Sequence, residues 1–208
     1  MLYTSTVEPN TLSLLKKIME FPELKNFSLV GGTALSLKLG HRISIDLDLF
    51  SNVRPDISQI NLLLEARFGS DFINENLHTD FAIFCTIHNV KVDILHYPHL
   101  PISEIEIIDG IRMYSNKDIA AMKINAILGR GQKKDFFDLA ELLQHYSLNE
   151  ILDWNKQKYK SQQLLISIPN ALTYFEDAEL SPDPVSLNGQ TWEAVKKILQ
   201  QKVREFLK

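Results

Sequence analysis

Leu29-Val30-Gly31-Gly32-Thr33, followed after one short helix by Ser44-Ile45-Asp46-Leu47-Asp48-Leu49-Phe50, is the stretch whose reading decides the fold. The first segment reads as a strand running into a paired-glycine turn, and the second as a strand with a carboxylate at every other position. Side chains alternate between faces along a strand, so Asp46 and Asp48 are expected on one face and Ile45, Leu47 and Leu49 on the other. Two carboxylates roughly 7 Å apart along a strand repel each other where water is partly excluded, and a divalent cation is the natural compensation. Mg²⁺ prefers oxygen ligands, keeps several waters and commonly takes one or two protein carboxylates together with substrate phosphates. Gly31 and Gly32 lack a Cβ and let a ligand approach the backbone, while a helix opening near Thr33 aims free N–H groups at it. The pattern predicts a phosphate cradle facing a metal site.

Upstream, Asn10 or Thr11 can cap a covering helix that carries Leu12, Leu14, Leu15 and Ile18 and closes before Pro22. Downstream, Ile57, Ile60, Leu63, Leu64 and Phe68 recur at helical spacing until Gly69. Strand-like runs then cover Phe72 to Leu77, Phe81 to Ile87 and Val90 to Leu95, the last two hinged at His88-Asn89. In the third run Lys91 and Asp93 alternate with Val90, Val92 and Ile94, which makes Asp93 a candidate third acid. Asp109-Gly110 marks another tight hairpin. From Ser115 the pattern turns helical, with Ser115 and Asp118 spaced as a capping box, so the expected division is a core over 1–114 and a helical domain over 115–208. Gly129-Arg130-Gly131 breaks the first of these helices and Lys134 to Tyr146 forms the next. Ser147 and Glu150 cap a third, Gln162 to Phe175 gives one interrupted by Pro169, and Trp192 to Leu207 gives the last. The basic cluster of Arg130, Lys133 and Lys134 could hold phosphate or simply be a solvated face.

A glycine pair followed by an acid-x-acid strand resembles the signature of the polymerase-β-like nucleotidyltransferases. The fuller strings, Gly31-Gly32-Thr33-Ala34-Leu35-Ser36-Leu37, Gly40-His41-Arg42-Ile43-Ser44 and Asp46-Leu47-Asp48-Leu49-Phe50, resemble the AbiEii/AbiGii toxin branch of that superfamily, as do Asp118 to Ile127 and Arg130 to Leu139. The resemblance implies an α+β fold, a mixed β-sheet nucleotidyltransferase core with flanking helices followed by a helical C-terminal domain. It implies that Asp46, Asp48 and Asp93 hold Mg²⁺, two ions in all, and that Gly31, Gly32 and Thr33 seat a nucleoside triphosphate with help from Lys123. Lys123 and Asp138 are carried over as catalytic residues, with Asp46, Asp48 and Asp93, and Asp135 as a nucleotide-binding one; of the two acids Asp135 and Asp138 one is the active-site acid. They sit three apart on one helix face, so either could be the active-site acid. Arg42 is a second phosphate candidate, and His41 reads as structural. The implied reaction moves a nucleoside monophosphate from the triphosphate to an acceptor hydroxyl. The implied role is the toxin of a toxin–antitoxin or abortive-infection pair, acting on tRNA or another cellular acceptor beside a cognate antitoxin protein. A nucleotide-binding protein without transfer activity and an antibiotic-modifying nucleotidyltransferase are the alternative readings.

The whole composition is compatible with this. A chain of 208 residues with 45% hydrophobic and 23% charged residues is ordinary for a globular protein, and a formal net charge of −4 argues against a non-specific nucleic-acid coat. The one cysteine, Cys85, excludes an internal disulfide and points to a reducing compartment, the cytoplasm. No leader pattern and no apolar run of membrane-spanning length is seen, so neither secretion nor membrane insertion is expected.

Overall fold

The computed structural model describes residues 1–75, 79–163 and 166–208. In chain order the elements are α1 (Pro9–Met19), β1 (Ser28–Leu29), α2 (Gly31–Leu39), β2 (Leu47–Ser51), α3 (Ile57–Phe68), β3 (Phe72–Asn74), β4 (Ala82–Ile87), β5 (Val90–His96), β6 (Glu106–Ile108) and β7 (Ile111–Met113). Then follow α4 (Asn116–Gly129), α5 (Lys133–Leu142), α6 (Leu148–Lys158), α7 (Ile168–Leu172), α8 (Glu176–Glu179) and α9 (Trp192–Phe206).

The strands form one mixed sheet in the order β3-β4-β5-β2-β1-β7-β6. β2 runs antiparallel to β1 and parallel to β5, while β7 lies parallel to β1. Two short hairpins shape the ends. His88 and Asn89 (φ 49° and 61°) join β4 to β5, and Asp109 and Gly110 (φ 51° and 79°) join β6 to β7. Positive φ at both central residues matches the right-handed twist of the flanking strands, which is why these dipeptides were readable as hairpins.

Helix ends follow local chemistry. The Asp56 carboxylate accepts from Gln59 N at the start of α3, the Ser115 hydroxyl from Asp118 N at the start of α4, and Ser147 with Glu150 closes a full capping box on α6. Several bounds differ from expectation: α1 opens at Pro9 behind Glu8 rather than being capped by Asn10 or Thr11, and α5 ends at Leu142 rather than Tyr146. α2 opens at Gly31 itself, so the glycine pair is the first turn of the helix. β2 begins at Leu47, leaving Asp46 in the extended segment before it. The helix expected over 162–175 is reduced among the described residues to the short α7, with residues 164 and 165 outside them, as Leu77 is outside them for β3.

One buried apolar cluster runs through both halves, from Leu29, Leu47, Leu49, Val92 and Ile94 on the sheet to Ile119, Ile124, Phe136 and Leu139 on α4 and α5. On α9 the expected stripe is buried at Trp192, Val195, Leu199 and Val203, and Phe206 is at the exposed end. The chain then ties back on itself. Ile43 N donates to Val185 O, Leu187 N donates to His41 O, and Arg42 and Ser186 form an isolated antiparallel bridge. The segment that links α2 to β2 is thereby held from the C-terminal half, which fixes how the acids are presented. Cys85 is fully buried and its thiol is pushed up to about 12 by burial, with Asp93 and Glu75 adding to the effect, so it is chemically inert. Among the described residues, no helix is long and apolar enough to cross a membrane.

Candidate active site

A cleft of about 410 Å³ lies between the sheet and α4, with Gly31, Asp48 and Asp93 on one wall and Met122, Lys123 and Arg130 on the other. Asp48 and Asp93 are register partners across the parallel pair β2 and β5, so their side chains leave the same face side by side. Asp46 joins them from the entry to β2, about one third exposed, with Lys134 Nζ 3.5 Å from its Oδ2.

The electrostatics of the three acids are unfavourable as they stand. Burial raises the Asp48 pKa, and the neighbouring Asp93 and Asp46 charges raise it further against the pull of Lys123 and Lys134. Burial also raises Asp93, with Asp46 acting in the same sense, although Lys91 at 3.3 Å opposes it. Asp93 Oδ1 is buried without a hydrogen-bond partner among the described residues. A buried carboxylate oxygen left unpaired costs stability unless a cation or donor meets it. Among the described residues no ready-made cluster of three or more metal-ligating side chains is present. The donor set instead suits an ion that takes one or two carboxylates and completes its shell with water and substrate oxygen, as Mg²⁺ does.

The glycine pair is needed inside the protein. Gly31 has φ 69°, in the left-handed region, and a Cβ there would stand 2.6 Å from Asp48 Oδ2. A Cβ on Gly32 would overlap Arg42 Nη2. Thr33 is buried, and its hydroxyl meets Ser44 Oγ at 2.9 Å and the Asp46 carbonyl, tying the first turn of α2 to the acid-bearing segment. Close approach at Gly32 therefore already serves an internal contact. Gly32→Ala is expected to lower stability by about 1–3 kcal/mol, the usual cost of overpacking a tight site. Urea unfolding checks this, and an unchanged midpoint would show that Arg42 moves aside freely.

Behind the cleft wall lies a buried ionic network. Asp138, fully buried, receives Arg42 Nε at 2.7 Å and Nη2 at 2.9 Å, contacts His41 Nε2 at 2.7 Å, and pairs with Lys123 Nζ at 2.6 Å. Lys123 Nζ also reaches Asp135 Oδ1 at 2.9 Å, and Arg130 donates to the same carboxylate. Burial alone would raise Asp138, but Arg42, Lys123 and His41 together hold it well below the usual carboxylate range. Asp135 is likewise lowered against its burial by Lys123 and Arg130. Lys123 lines the cleft with only 5% of its side chain exposed and two carboxylates on its ammonium. Arg42 is 4% exposed, and its guanidinium is engaged by Asp138 and the Ile43 carbonyl rather than open to a ligand. Arg130, 55% exposed, and Lys134 are the cations whose charge faces the open side of the acids. The basic cluster in the sequence was the signal for these two, but nothing in it marked them above Lys133, which turns to Asp183 and Glu179. Phe50, Tyr97, Asn125 and Tyr159 also line the cleft. Of these Phe50 and Tyr97 have sequence cues, since Phe50 lies two residues beyond Asp48 on the same strand face and Tyr97 lies four beyond Asp93 in the neighbouring strand run.

Residues 13–208 match the family model described as nucleotidyl transferase AbiEii toxin, type IV TA system. The uncharacterized protein aq_aa25 of Aquifex aeolicus (strain VF5) is 32% identical, over 93% of this chain and 94% of its own. In fold, the chain is similar to JHP933 from Helicobacter pylori (TM-score 0.55, 20% identity, covering 99% of this chain and 93% of that one). It is also similar to MenT4, the nucleotidyltransferase toxin Rv2826c from Mycobacterium tuberculosis H37Rv (TM-score 0.57, 13% identity, covering 93% and 84%). The mixed sheet, the cleft and the match over nearly the whole chain lead to one conclusion: this chain belongs to the AbiEii nucleotidyltransferase toxin family.

Proposed function

We propose that the chain is a Mg²⁺-dependent enzyme that moves a nucleoside monophosphate from a nucleoside triphosphate to an acceptor hydroxyl, with tRNA or another cellular acceptor as substrate and a cognate antitoxin protein as its partner in the cell. The observation that carries the reading is the in-register pair Asp48 and Asp93, both raised in pKa by burial and one with an orphaned oxygen, beside the first turn of α2.

In this reading Asp48 and Asp93, with Asp46, hold Mg²⁺. When bound, the metal neutralises charge on the reacting phosphate and lowers the pKa of the attacking hydroxyl. Asp93, on the strand beside Asp48, orients the acceptor hydroxyl and takes its proton. The N–H groups of the first turn of α2, starting at Gly31, point toward the triphosphate, which a helix N-terminus favours. Arg130, half exposed and held to Asp135, and Lys134, beside Asp46, are the more exposed cations near the acids, and they meet the leaving pyrophosphate and offset its developing charge. Lys123 acts from beneath as a fixed positive charge, held in place by Asp135 and Asp138.

The test is incubation with each α-labelled nucleoside triphosphate and Mg²⁺, with and without total RNA, and with a chelator as control. Label on RNA that disappears with chelator supports the reading. Label on a small molecule instead would identify an antibiotic-modifying type of enzyme, and no transfer under any condition would leave a binding protein.

A further inference from the structure

The cleft continues beyond the acids. Its far wall, made by Tyr97, Asn125 and Tyr159, is also the near wall of a second cavity of about 600 Å³. The two spaces differ in charge, because the second cavity is lined by Lys158 and Lys160 and, among the described residues, by no carboxylate. They also differ in texture. Tyr97, His99 and Tyr159 form a tilted, edge-to-face aromatic group with ring centroids 4.9 Å and 4.8 Å apart at interplanar angles of 59° and 73°, and the Tyr97 and Tyr159 hydroxyls meet at 2.5 Å. Phe50 extends the group back toward Asp48, 5.1 Å from Tyr97 and tilted by 38°.

The cavity wall is rigidly held. The Asp118 carboxylate accepts from Ile102 N at 2.8 Å and Ser103 N at 3.2 Å, and pairs with Lys158 Nζ at 2.7 Å, which also donates to Leu100 O. Both charged groups of that pair are fully buried, so the loop over 98–103 is pinned to the start of α4 and the end of α6. Burial, with the Lys158 charge acting in the same sense, lowers the His99 pKa against a backbone hydrogen bond at Lys158 that raises it. At the shared wall Gln162 Nε2 donates to Asn125 Oδ1 at 2.7 Å. This leaves the Asn125 amide protons and the Gln162 carbonyl as a donor and an acceptor side by side.

We propose that this second cavity is a nucleoside subsite that opens from the catalytic cleft and holds a nucleotide heterocycle against His99, with Asn125 and Gln162 meeting its polar edge. The proposal rests on the nucleotidyl-transfer reading and adds to it where a ring is bound. Aromatic side chains beside the exposed Lys160 suit an anionic, planar ligand, Lys158 being already matched by the buried Asp118. The ring comes from one of two sources, the base of the incoming triphosphate or the terminal base of a single-stranded acceptor.

Binding measured apart from transfer separates these sources. Wild type, His99→Ala and His99→Phe are titrated with an α,β-methylene nucleoside triphosphate of each base and with a short unstructured oligoribonucleotide, followed by fluorescence anisotropy, with thermal midpoints recorded for all three. In His99→Ala, Kd for one of the two ligand types is expected to rise about tenfold, the scale of one lost base–aromatic stack, and His99→Phe is expected to restore it. A rise for the triphosphate places its base in the cavity, and a rise for the oligonucleotide places the acceptor there. Unchanged Kd for both ligands in His99→Ala overturns the proposal. So does a weakening that His99→Phe fails to restore, because it would mark His99 as packing only. Failure of the transfer reading shows separately, as absence of labelling by the wild-type protein.

Discussion

Asp48→Asn is expected to reduce nucleotidyl transfer by at least about 10³-fold, the scale of removing a metal ligand or a principal charge stabiliser from an in-line displacement, while leaving the metal-free protein at least as stable as wild type. The two halves of that expectation come from one feature. Asp48 stands in register with Asp93, near Asp46, and its folded pKa is raised chiefly by burial and then by Asp93. A carboxylate with a raised folded pKa works against the folded state at neutral pH: as pH rises through its ordinary range the unfolded chain gives up the proton first, so stability falls. The neutral amide keeps the shape and removes that penalty. Mg²⁺ supplies a readout that needs no turnover. Titrating Mg²⁺ should raise the thermal midpoint of wild type, by the linkage of a ligand that binds only the folded state, and should barely move Asp48→Asn. Equal Mg²⁺ stabilisation of both proteins, or near-normal transfer by the variant, would remove Asp48 from the metal site.

What was legible in the sequence tracks local chemistry. The hairpins at His88-Asn89 and Asp109-Gly110 were readable because only a few residue types tolerate positive φ at both turn positions. The caps at Ser115 and Ser147 were readable because a side-chain oxygen ahead of an apolar run has one common use, whereas the cap at Asp56 was not singled out. The pairing of Asp48 with Asp93 was only half legible. Alternation gave each acid a face, but the register that sets them side by side depends on β2 and β5 running parallel, a contact between residues more than forty apart in sequence. The network behind the cleft was less visible still. Arg42 as a sequence looks like any phosphate-seeking arginine near a glycine pair, and its burial against Asp138 follows from how α5 packs on α2, which no periodicity encodes. Gly32 shows the same limit: the string suggests room for a ligand, and the room contains a guanidinium.

That network is where the largest loss of stability should lie. Asp138 sits at its centre, fully buried, with Arg42, Lys123 and His41 all turned to it. Arg42 and Lys123 are themselves 4% and 5% exposed, so neither can turn to water when the carboxylate is removed. Asp138→Ala is therefore expected to cost about 3–5 kcal/mol, the range for breaking a buried ion pair and stranding its partner, here Arg42, since Lys123 keeps Asp135. Asp135→Ala should cost clearly less, because Lys123 keeps Asp138 and Arg130, 55% exposed, can take up solvent. The pH dependence gives the sign. The folded pKa of Asp138 is held well below its ordinary value, so its contribution to stability is fully present above the unfolded pKa of about 3.9 and is lost as pH falls from there through the folded value. Urea unfolding of wild type, Asp138→Ala and Asp135→Ala at pH 7 and again near pH 3 tests both points. The gap between wild type and Asp138→Ala should be wide at pH 7 and narrower at the acid end. If Asp135→Ala proved as damaging as Asp138→Ala, Arg130 would have to be fixed by Asp135 more firmly than its exposure indicates, and Asp135 rather than Asp138 would be the acid that keeps Lys123 against the cleft.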